Sequence, residues 1–432
     1  MTNERFLFGA LFNLADGIFV GRGVGSDALA AVNIAAPPFL LATGLALMFG
    51  SGVSVVAAIH LSHGNKKAAS INVTQALTVS VTLMSLVCLL IFIFPEPTAR
   101  LFGGNDRLMS LVLDYMPWIL PALLGCMVTF IGMFVIRLDG SPKYAMMCEI
   151  LPSIINIILD YVCIFPLAMG IKGAAIATST AQFTGVLMVL YYLFRLSKDI
   201  HFYTPKFTIK SIRLTIRNIG YMTRLGASNF IGETAMACMM IVGNYMFINL
   251  LGEDGVAAFS IACYLFPLVF MIGNAIAQSA LPIISYNYGA GHWSRIRNTR
   301  RISIGLAVAC GLLTTIAGVL FSPYIADMFL ENGQPAWLIA VEGFPLYSLS
   351  FALFAINIVL IGYYQSVKRP RQAVLFMLLR GFIIIIPAFI ILPRLIGVAG
   401  LWLAVPVSET LTTLYIISHA LRKSHRQTAL VV

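Results

Sequence analysis

A parallel repeat constrains this chain more than any other feature of its sequence. The string GSDALAAVNIA at residues 25–35 reappears as GEDGVAAFSIA at residues 252–262, displaced by 227 positions. A displacement that holds across half the chain predicts one structural unit present twice. The same displacement, or one that is larger by a single residue, relates seven further pairs: Gly64 and Gly291, Asp114 and Glu342, Pro117 and Pro345, Pro142 and Pro370, Pro166 and Pro393, Gly170 and Gly397, Gly173 and Gly400.

Composition places this repeat in a membrane. The chain is 59% hydrophobic and 10% charged, whereas a soluble domain has about 25% charged residues. Apolar runs of about 20 residues predict spanning helices, because a backbone in hydrocarbon must satisfy its own hydrogen bonds. We predict an all-α polytopic membrane protein with twelve transmembrane helices in two parallel six-helix lobes, an architecture common in transporters. The twelve segments are residues 5–21, 34–60, 72–94, 112–136, 144–166, 173–195, 225–250, 257–285, 302–326, 339–364, 373–393 and 399–421.

These segments divide the chain into four parts. The N-lobe covers residues 1–196, a basic linker 197–224, the C-lobe 225–422 and a cytoplasmic tail 423–432. Between positions 208 and 219 the linker has an apolar residue at every third or fourth position, as in an amphipathic helix lying on the inner leaflet. Both a tether between the lobes and a hinge strut fit this pattern.

Basic residues predict the orientation of the chain. Most of the 28 Lys and Arg residues lie at the C-terminal end or in every second loop, and the alternate loops hold only Arg22, Arg100, Arg107, Lys172 and Arg394. The positive-inside rule then places both termini in the cytoplasm. The formal net charge of +11 is spread over short loops, so it indicates topology and does not predict a nucleic-acid partner. The first segment lacks the pattern of a cleaved signal peptide, and we expect it to stay in place.

Enzyme chemistry has little support in this sequence. The seven cysteines lie inside apolar segments without zinc-ligand spacing, and the six histidines form no metal cluster. No Gly-x4-Gly-Lys-[Ser/Thr] loop for ATP occurs. We therefore expect no enzyme activity, no cofactor and no tightly bound metal. Energy would come from an ion gradient, a partner protein or the substrate's own gradient.

Acidic side chains within the segments indicate where function lies. A carboxylate at a helix centre costs about 2.5–3.5 kcal/mol on insertion scales, so each one needs a reason. We expect no Lys or Arg deep enough to pair with them; Arg380, about two turns into segment 11, would snorkel or cap a neighbouring helix. An excess of buried acids favours protons, Na+ or organic cations over anionic substrates. The acids are Asp16, Glu149, Asp160, Glu233 and Glu409.

Asp160 is the strongest candidate for an ion-binding residue. Asn156 lies one turn before it on the same helix face, and Thr178 lies one turn into segment 6. An amide oxygen and a carboxylate can coordinate Na+ or hold a protonated acid, with a polar clasp between helices as the structural alternative. Asp16, nearly a turn after Asn13, is a second candidate, unless it is merely hydrated near its helix end.

The C-lobe candidates are expected to line a substrate cavity. Asn229, Glu233 and Asn244 form a polar seam along segment 7, and Glu409 lies in segment 12. Glu409 follows Pro406, so capping the helix that this proline disturbs is the structural alternative for it.

Four strings together resemble the multidrug and toxic compound extrusion (MATE) transporters, over almost the whole chain. They are FNLADGIFVGR at 12–22, RLDGSPK at 137–143, Asn156-x3-Asp160, and SYNYGAG at 285–291. The MepA-like bacterial branch is the most similar. The resemblance implies a V-shaped pair of lobes that rocks between inward- and outward-facing states in a bacterial cytoplasmic (inner) membrane. We expect a monomer.

The resemblance also implies a function and a site. It implies efflux of cationic or amphipathic drugs, with small organic cations as substrates and H+ or Na+ as the coupling ion. The family's N-lobe cation site would fall on Asp16, Asn156, Asp160 and Thr178. The chain departs from the family's pattern in three respects: fewer residues precede Asp16, Met133 stands where an asparagine often completes the site, and Glu233 matches the C-lobe glutamate only loosely.

Three classes of function remain, and an ion-coupled exporter of organic cations is favoured among them. A lipid-linked precursor flippase of the same superfamily would need a buried Arg or Lys for its anionic headgroup. An uncoupled channel or a structural membrane protein gives no reason for aspartates in both helix 1 and helix 5.

Overall fold

The computed structural model describes residues 19–20, 24, 28, 31–32, 35, 37–101, 109–203, 208–330 and 332–428. These residues contain helices and no strand, which confirms the predicted all-α class. The chain forms two compact units: the first unit is Met1–Phe230 with Ser285–Gly291, and the second unit is Ile231–Ile284 with His292–Val432. The predicted linker and tail boundaries stay predictions.

From Pro37 onwards, the described residues form six helices, then one long helix, then seven more. The first six are α1 (Pro37–Ser62), α2 (Lys66–Ile93), α3 (Pro95–Leu101), α4 (Met109–Leu138), α5 (Pro142–Ile164) and α6 (Gly170–Tyr191), which ends in a π-helical turn at Tyr192–Leu196. The long helix α7 (Ile209–Gly289) has non-helical torsion angles at Gly252. It is followed by α8 (Trp293–Leu320), α9 (Ser322–Asp327), α10 (Pro335–Ser348), α11 (Ser350–Ser366), α12 (Pro370–Leu378), a π-helical turn at Leu379–Ile383, α13 (Ile385–Ile396) and α14 (Val398–Thr428).

Within the described residues, eleven helical stretches are long and apolar enough to cross a membrane. Each of them coincides with one of the predicted segments 2 to 12. Predicted segment 1 lies outside the described residues except for Phe19 and Val20.

The predicted repeat is present in the backbone geometry. α8 begins and ends 227 residues after α2. The residue that caps α2, Asn65, has φ/ψ of −91°/70°, and its counterpart His292 has −84°/71°. Gly64 and Gly291, which precede them, have φ of 72° and 74°, a left-handed conformation that favours glycine. The same turn is therefore built twice, at equivalent positions.

In the first unit, α4 packs against α1, α2, α5 and α6. Gly132 of α4 allows the contact with α6, since a Cβ there would lie 2.2 Å from Val189 Cγ1. Small residues at such crossings are usual between membrane helices, because they let the backbones approach closely. After α4, Asp139 accepts hydrogen bonds from Tyr192 Oη over 2.8 Å and Lys198 N over 2.9 Å. This buried carboxylate holds the chain that leaves α6.

The start of α7 is bound to the first unit. Gln75 of α2 donates to Thr215 Oγ1 over 2.9 Å and accepts from Asn218 Nδ2 over 3.0 Å. About two helical turns further on, α7 crosses α1 so closely that a Cβ on Gly226 would lie 1.8 Å from the Met48 carbonyl oxygen. The part of the chain predicted as a linker is thus anchored by polar contacts, and a close helix crossing follows directly after it.

The second unit has an aromatic core. Phe247 stacks on Phe259 with ring centroids 4.5 Å apart and meets Trp402 edge-on at 4.9 Å. Tyr347 and Phe389 pack on Phe259 edge-on. Offset and edge-on ring pairs of this kind add specific attraction to apolar packing, and they fix α7, α10, α13 and α14 around one centre.

Candidate functional site

The structure brings Asn156, Asp160 and Thr178 together in the first unit. Their exposed fractions are 0%, 0% and 8%. Asn156 and Asp160 lie one turn apart on α5, and Thr178 lies on α6. In the amide orientation that satisfies its neighbours, the Asn156 nitrogen donates to Asp160 Oδ2 over 2.7 Å, and its oxygen accepts from Thr178 N over 3.1 Å and Thr178 Oγ1 over 3.3 Å. One amide therefore links the carboxylate of α5 to both polar groups of Thr178.

Local sequence explains this arrangement. The spacing of four residues puts Asn156 and Asp160 on one face of α5. Gly173 lets α6 approach that helix, since a Cβ there would lie 3.0 Å from Cys163 Cβ. Thr178 lies little more than one turn beyond Gly173, and its side chain therefore reaches the Asn156 amide.

This cluster offers a carboxylate, an amide and a hydroxyl, and oxygen atoms of these kinds bind protons and hard cations. A buried carboxylate is costly unless it is neutralised or paired, so an ion is a physically reasonable occupant. Asp16, the fourth predicted residue, lies outside the described residues. Met133, which stands where the family often has an asparagine, is 2% exposed. The role of the cluster stays a prediction.

A second buried polar cluster lies in the second unit, around Glu409. Arg380 donates to Glu409 Oε1 from Nε over 3.1 Å and from Nη2 over 2.6 Å. Asn357 Nδ2 donates to Glu409 Oε2 over 2.7 Å, and Thr413 Oγ1 donates to Asn357 Oδ1 over 2.9 Å. The side chains of Arg380 and Glu409 are 6% and 2% exposed. Both oxygens of the carboxylate are therefore satisfied inside the unit.

The expectation that no basic residue pairs with the buried acids is wrong for Glu409. Arg380 neither snorkels nor caps a helix end; it forms a two-contact ion pair with Glu409. Hydropathy placed the start of segment 11 at residue 373, whereas α12 begins at Pro370. Arg380 lies ten residues into the helical stretch, about 15 Å along its axis, which is half the thickness of a hydrocarbon core.

A narrow cavity adjoins the ion pair. Apolar residues line it together with Arg380 and Glu409: Gly232, Ala235, Met236, Met239, Phe266, Phe270, Phe354, Gly381, Ile385 and Val405. The guanidinium carbon of Arg380 lies 4.0 Å from the centre of the Phe354 ring. The cavity volume is about 20 Å³, enough for one water molecule and far below the space that a drug-sized ligand needs.

The other predicted C-lobe residues, Asn229, Glu233 and Asn244, do not line the cavity beside Arg380. Asn229 belongs to the first unit, where its Nδ2 donates to Ser51 Oγ over 2.6 Å. Asn229 was expected to line a cavity in the C-lobe, but it contacts α1 instead, because the start of α7 packs on that helix. Glu233 is half-buried on α7 and lines no part of the cavity beside Arg380, and Asn244 is exposed.

Sequence reasoning missed Asn357, Thr413 and Asp139. Asn357 is a single amide in the apolar run of segment 10, and the same rule that selected the buried acids could have selected it. Asp139 lies in the RLDGSPK string, but only the fold shows that it holds the chain after α6. Among the described residues no group of three or more His, Cys, Asp or Glu side chains could hold a metal ion.

Comparison with known proteins gives relatives across the whole chain. The family model described as MatE matches residues 5–162 and 230–390. The chain is 27% identical over 409 residues to a FAD transporter of Shewanella oneidensis, covering 93% of this chain and 88% of the relative. It is 22% identical over 412 residues to the multidrug export protein MepA of Staphylococcus aureus, covering 94% and 88%. This identity supports the predicted MepA-like branch only weakly.

Solved structures show the same fold. An outward-facing multidrug resistance MATE family transporter of the MOP superfamily has a TM-score of 0.89 at 21% identity, covering 99% of this chain and 94% of that one. A MOP superfamily transporter of Pyrococcus furiosus, in which a binding pocket of reverse polarity suggests a different function, has a TM-score of 0.88 at 21% identity, covering 100% and 94%.

Proposed function

Because this chain belongs to the MATE family of transporters, we propose that it is a secondary active antiporter of cationic or amphipathic organic compounds. It takes up H+ or Na+ in exchange, by rocking between inward- and outward-facing states. It works as a monomer in a bacterial cytoplasmic membrane with both termini inside. The buried cluster of Asn156, Asp160 and Thr178 is the observation that carries this proposal. We propose Asp16, which lies outside the described residues, as a fourth member of the site.

Thermodynamics explains why such a cluster suits coupling. A ligand shifts a two-state transporter only through its different affinity for the two states. In an apolar interior a carboxylate without a proton or a cation is costly, so a conformation that buries it favours the loaded form and one that hydrates it favours release. Asp160 meets this condition, since its residue surface is 0% exposed.

The cluster suits either coupling ion. With the Asn156 nitrogen towards Asp160, the amide oxygen accepts from Thr178 N and Oγ1, an arrangement that accommodates a proton on Asp160. With the amide turned over, its nitrogen donates to Thr178 Oγ1 over 3.3 Å and its oxygen faces Asp160, an arrangement that can coordinate Na+. Transport measured against an imposed pH gradient and against an imposed Na+ gradient distinguishes the two ions.

The test is ethidium accumulation in an efflux-deficient host. Cells that express the protein should exclude ethidium, and a protonophore should abolish the exclusion. Asp160→Asn removes the exchangeable charge with little change of volume. We expect the variant to reach the membrane, to fail to exclude ethidium, and to bind ethidium after purification with no dependence on pH or Na+.

Asp114→Asn is the matched control. Asp114 also lies in the first unit, but its side chain is 50% exposed and pairs with Lys172 over 3.1 Å, and exposed pairs contribute little. This variant should exclude ethidium like the parent. Full exclusion by Asp160→Asn at normal expression would rule out the proposed coupling site.

A second candidate function is export of a larger, partly anionic compound. Arg380 removes one argument against it, because the exclusion of anionic substrates and of a lipid-linked precursor flippase assumed that no buried basic residue exists. The relative named FAD transporter is consistent with such a cargo. Flavin nucleotide in the medium of expressing cells, with no protection against ethidium, would favour this candidate over the first.

A further inference from the structure

Arg380 uses only one edge of its guanidinium group. A guanidinium has five N–H donors in a planar fork, and Nε and Nη2 point to Glu409 Oε1. On the other edge, Nη1 meets only the Met377 sulfur within the described residues, over 3.9 Å. A thioether is a weak acceptor, so this edge has hydrogen-bonding capacity that no oxygen of the described residues uses.

The fold of the repeat does not require this ion pair. With the displacements of 228 and 227 residues that relate the two halves here, Arg380 corresponds to Pro152 and Glu409 to Gln182. The first half therefore builds the equivalent helices without either charge. A buried ion pair also rarely stabilises a protein more than well-packed apolar side chains would. Ligand recognition is therefore a better explanation for the buried pair of Arg380 and Glu409 than stabilisation of the folded protein.

The surroundings select a flat ring. Phe266, Phe270 and Phe354 line the cavity, and aromatic faces favour planar partners. Met236 and Met239 lie on its wall; methionine side chains are flexible and adapt to ligands of different shape. Movement of these two side chains is needed, because the present volume of about 20 Å³ admits only water.

The charge of the pair selects an uncharged acceptor. Arg380 and Glu409 together carry no net charge, so in this apolar setting a fully charged ligand group would have no counter-ion. A ring carbonyl accepts a hydrogen bond from Nη1 without that cost. The π-helical turn Leu379–Ile383 carries Arg380, and such turns occur frequently at functional sites.

We propose that the second unit binds planar heteroaromatic compounds at Arg380, whose free edge donates to a ring carbonyl oxygen while Glu409 holds the guanidinium in place. The ligand class includes flavin-type rings. This inference depends on the proposed function in one respect: the bound ring would be part of a compound that the protein transports.

The test compares two tricyclic dyes on the purified full-length protein, by fluorescence titration. Lumiflavin is uncharged and carries ring carbonyls, whereas proflavine is a cation without them. The variant Arg380→Met with Glu409→Gln removes both charges and leaves neither partner unpaired. We expect its Kd for lumiflavin to rise about tenfold or more, the loss expected for hydrogen bonds to a charged donor, and its Kd for proflavine to change less than about twofold.

Arg300→Met is the matched control, since Arg300 also lies in the second unit and over an aromatic ring, Tyr363, at 5.1 Å. It should leave both Kd values unchanged. Equal weakening of both dyes in the double variant, or no binding of lumiflavin by the parent, would overturn the inference. Ethidium exclusion is measured separately, so its failure in cells would remove the proposed function and leave the lumiflavin result standing.

Discussion

At the scale of single residues, Arg380 and Glu409 depend on each other. Arg380→Met leaves a buried carboxylate whose remaining side-chain partner among the described residues is Asn357, and breaking a buried pair on one side costs about 3–5 kcal/mol. Adding Glu409→Gln should restore most of this loss, because the amide can still accept from Asn357. Thermal unfolding in detergent measures both variants, and a double variant no more stable than the single one would contradict the prediction.

The depth of a side chain within the bilayer was the property that the sequence predicted least well. The spacing of Asn156 and Asp160 was sufficient to predict that they share a helix face, because that relation lies within one helix. Arg380 and Glu409 lie 29 positions apart in the sequence and on different helical segments. Hydropathy gives no information about which faces of two helices pack together. An apolar run whose start was placed three residues too late then made Arg380 look shallow.

At the scale of elements, the crossing of α1 and α7 depends on glycine. A Cβ on Gly226 would lie 1.8 Å from a backbone oxygen, whereas nothing lies within 4 Å of one on Gly220 in the same helix. Gly226→Ala should therefore push the helices apart and lower the melting temperature. Gly220→Ala should leave it unchanged or raise it, since alanine favours helix by about 1 kcal/mol. Equal effects of the two substitutions would refute a tight crossing.

Helices were predicted well because each span has a strong local signal. The segments 2 to 12 agree with the eleven spans of the described chain. Their ends were less accurate, since polar first turns such as Lys66–Ser70 of α2 do not score as apolar. The amphipathic helix predicted at positions 208–219 is present, but its continuation into segment 7 as the single helix α7 was not predicted, since the basic residues of this stretch do not score as apolar.

At the scale of the whole molecule, the two copies of the repeat carry different buried polar clusters. The N-terminal half has Asn156 and Asp160 on α5, and the C-terminal half has Arg380 at a position equivalent to Pro152. The repeat could be predicted from sequence because glycines and prolines mark its turns. The sequence also shows that the two halves carry different polar side chains, but only the fold shows that Arg380 and Glu409 form a pair.

The charge distribution makes a prediction about the whole molecule. If basic loops face the cytoplasm, a green fluorescent protein fused to the C-terminus should fold inside the cell and fluoresce. A periplasmic alkaline phosphatase fused at the same point should be inactive. A dark fluorescent fusion together with an active phosphatase would invert the proposed topology.

Gly252 is an exposed residue that other amino acids cannot readily replace. A straight helix of the 81 residues of α7 would be about 120 Å long, four times the thickness of the hydrocarbon core. The chain avoids this at Gly252, whose φ/ψ of 67°/−155° is essentially open to glycine alone; Gly397, at 64°/−144°, repeats it. No atom crowds either position, so surface exposure alone would predict free variation there. In evolutionary terms we expect the opposite: both glycines should persist through divergence as strictly as residues of the aromatic core.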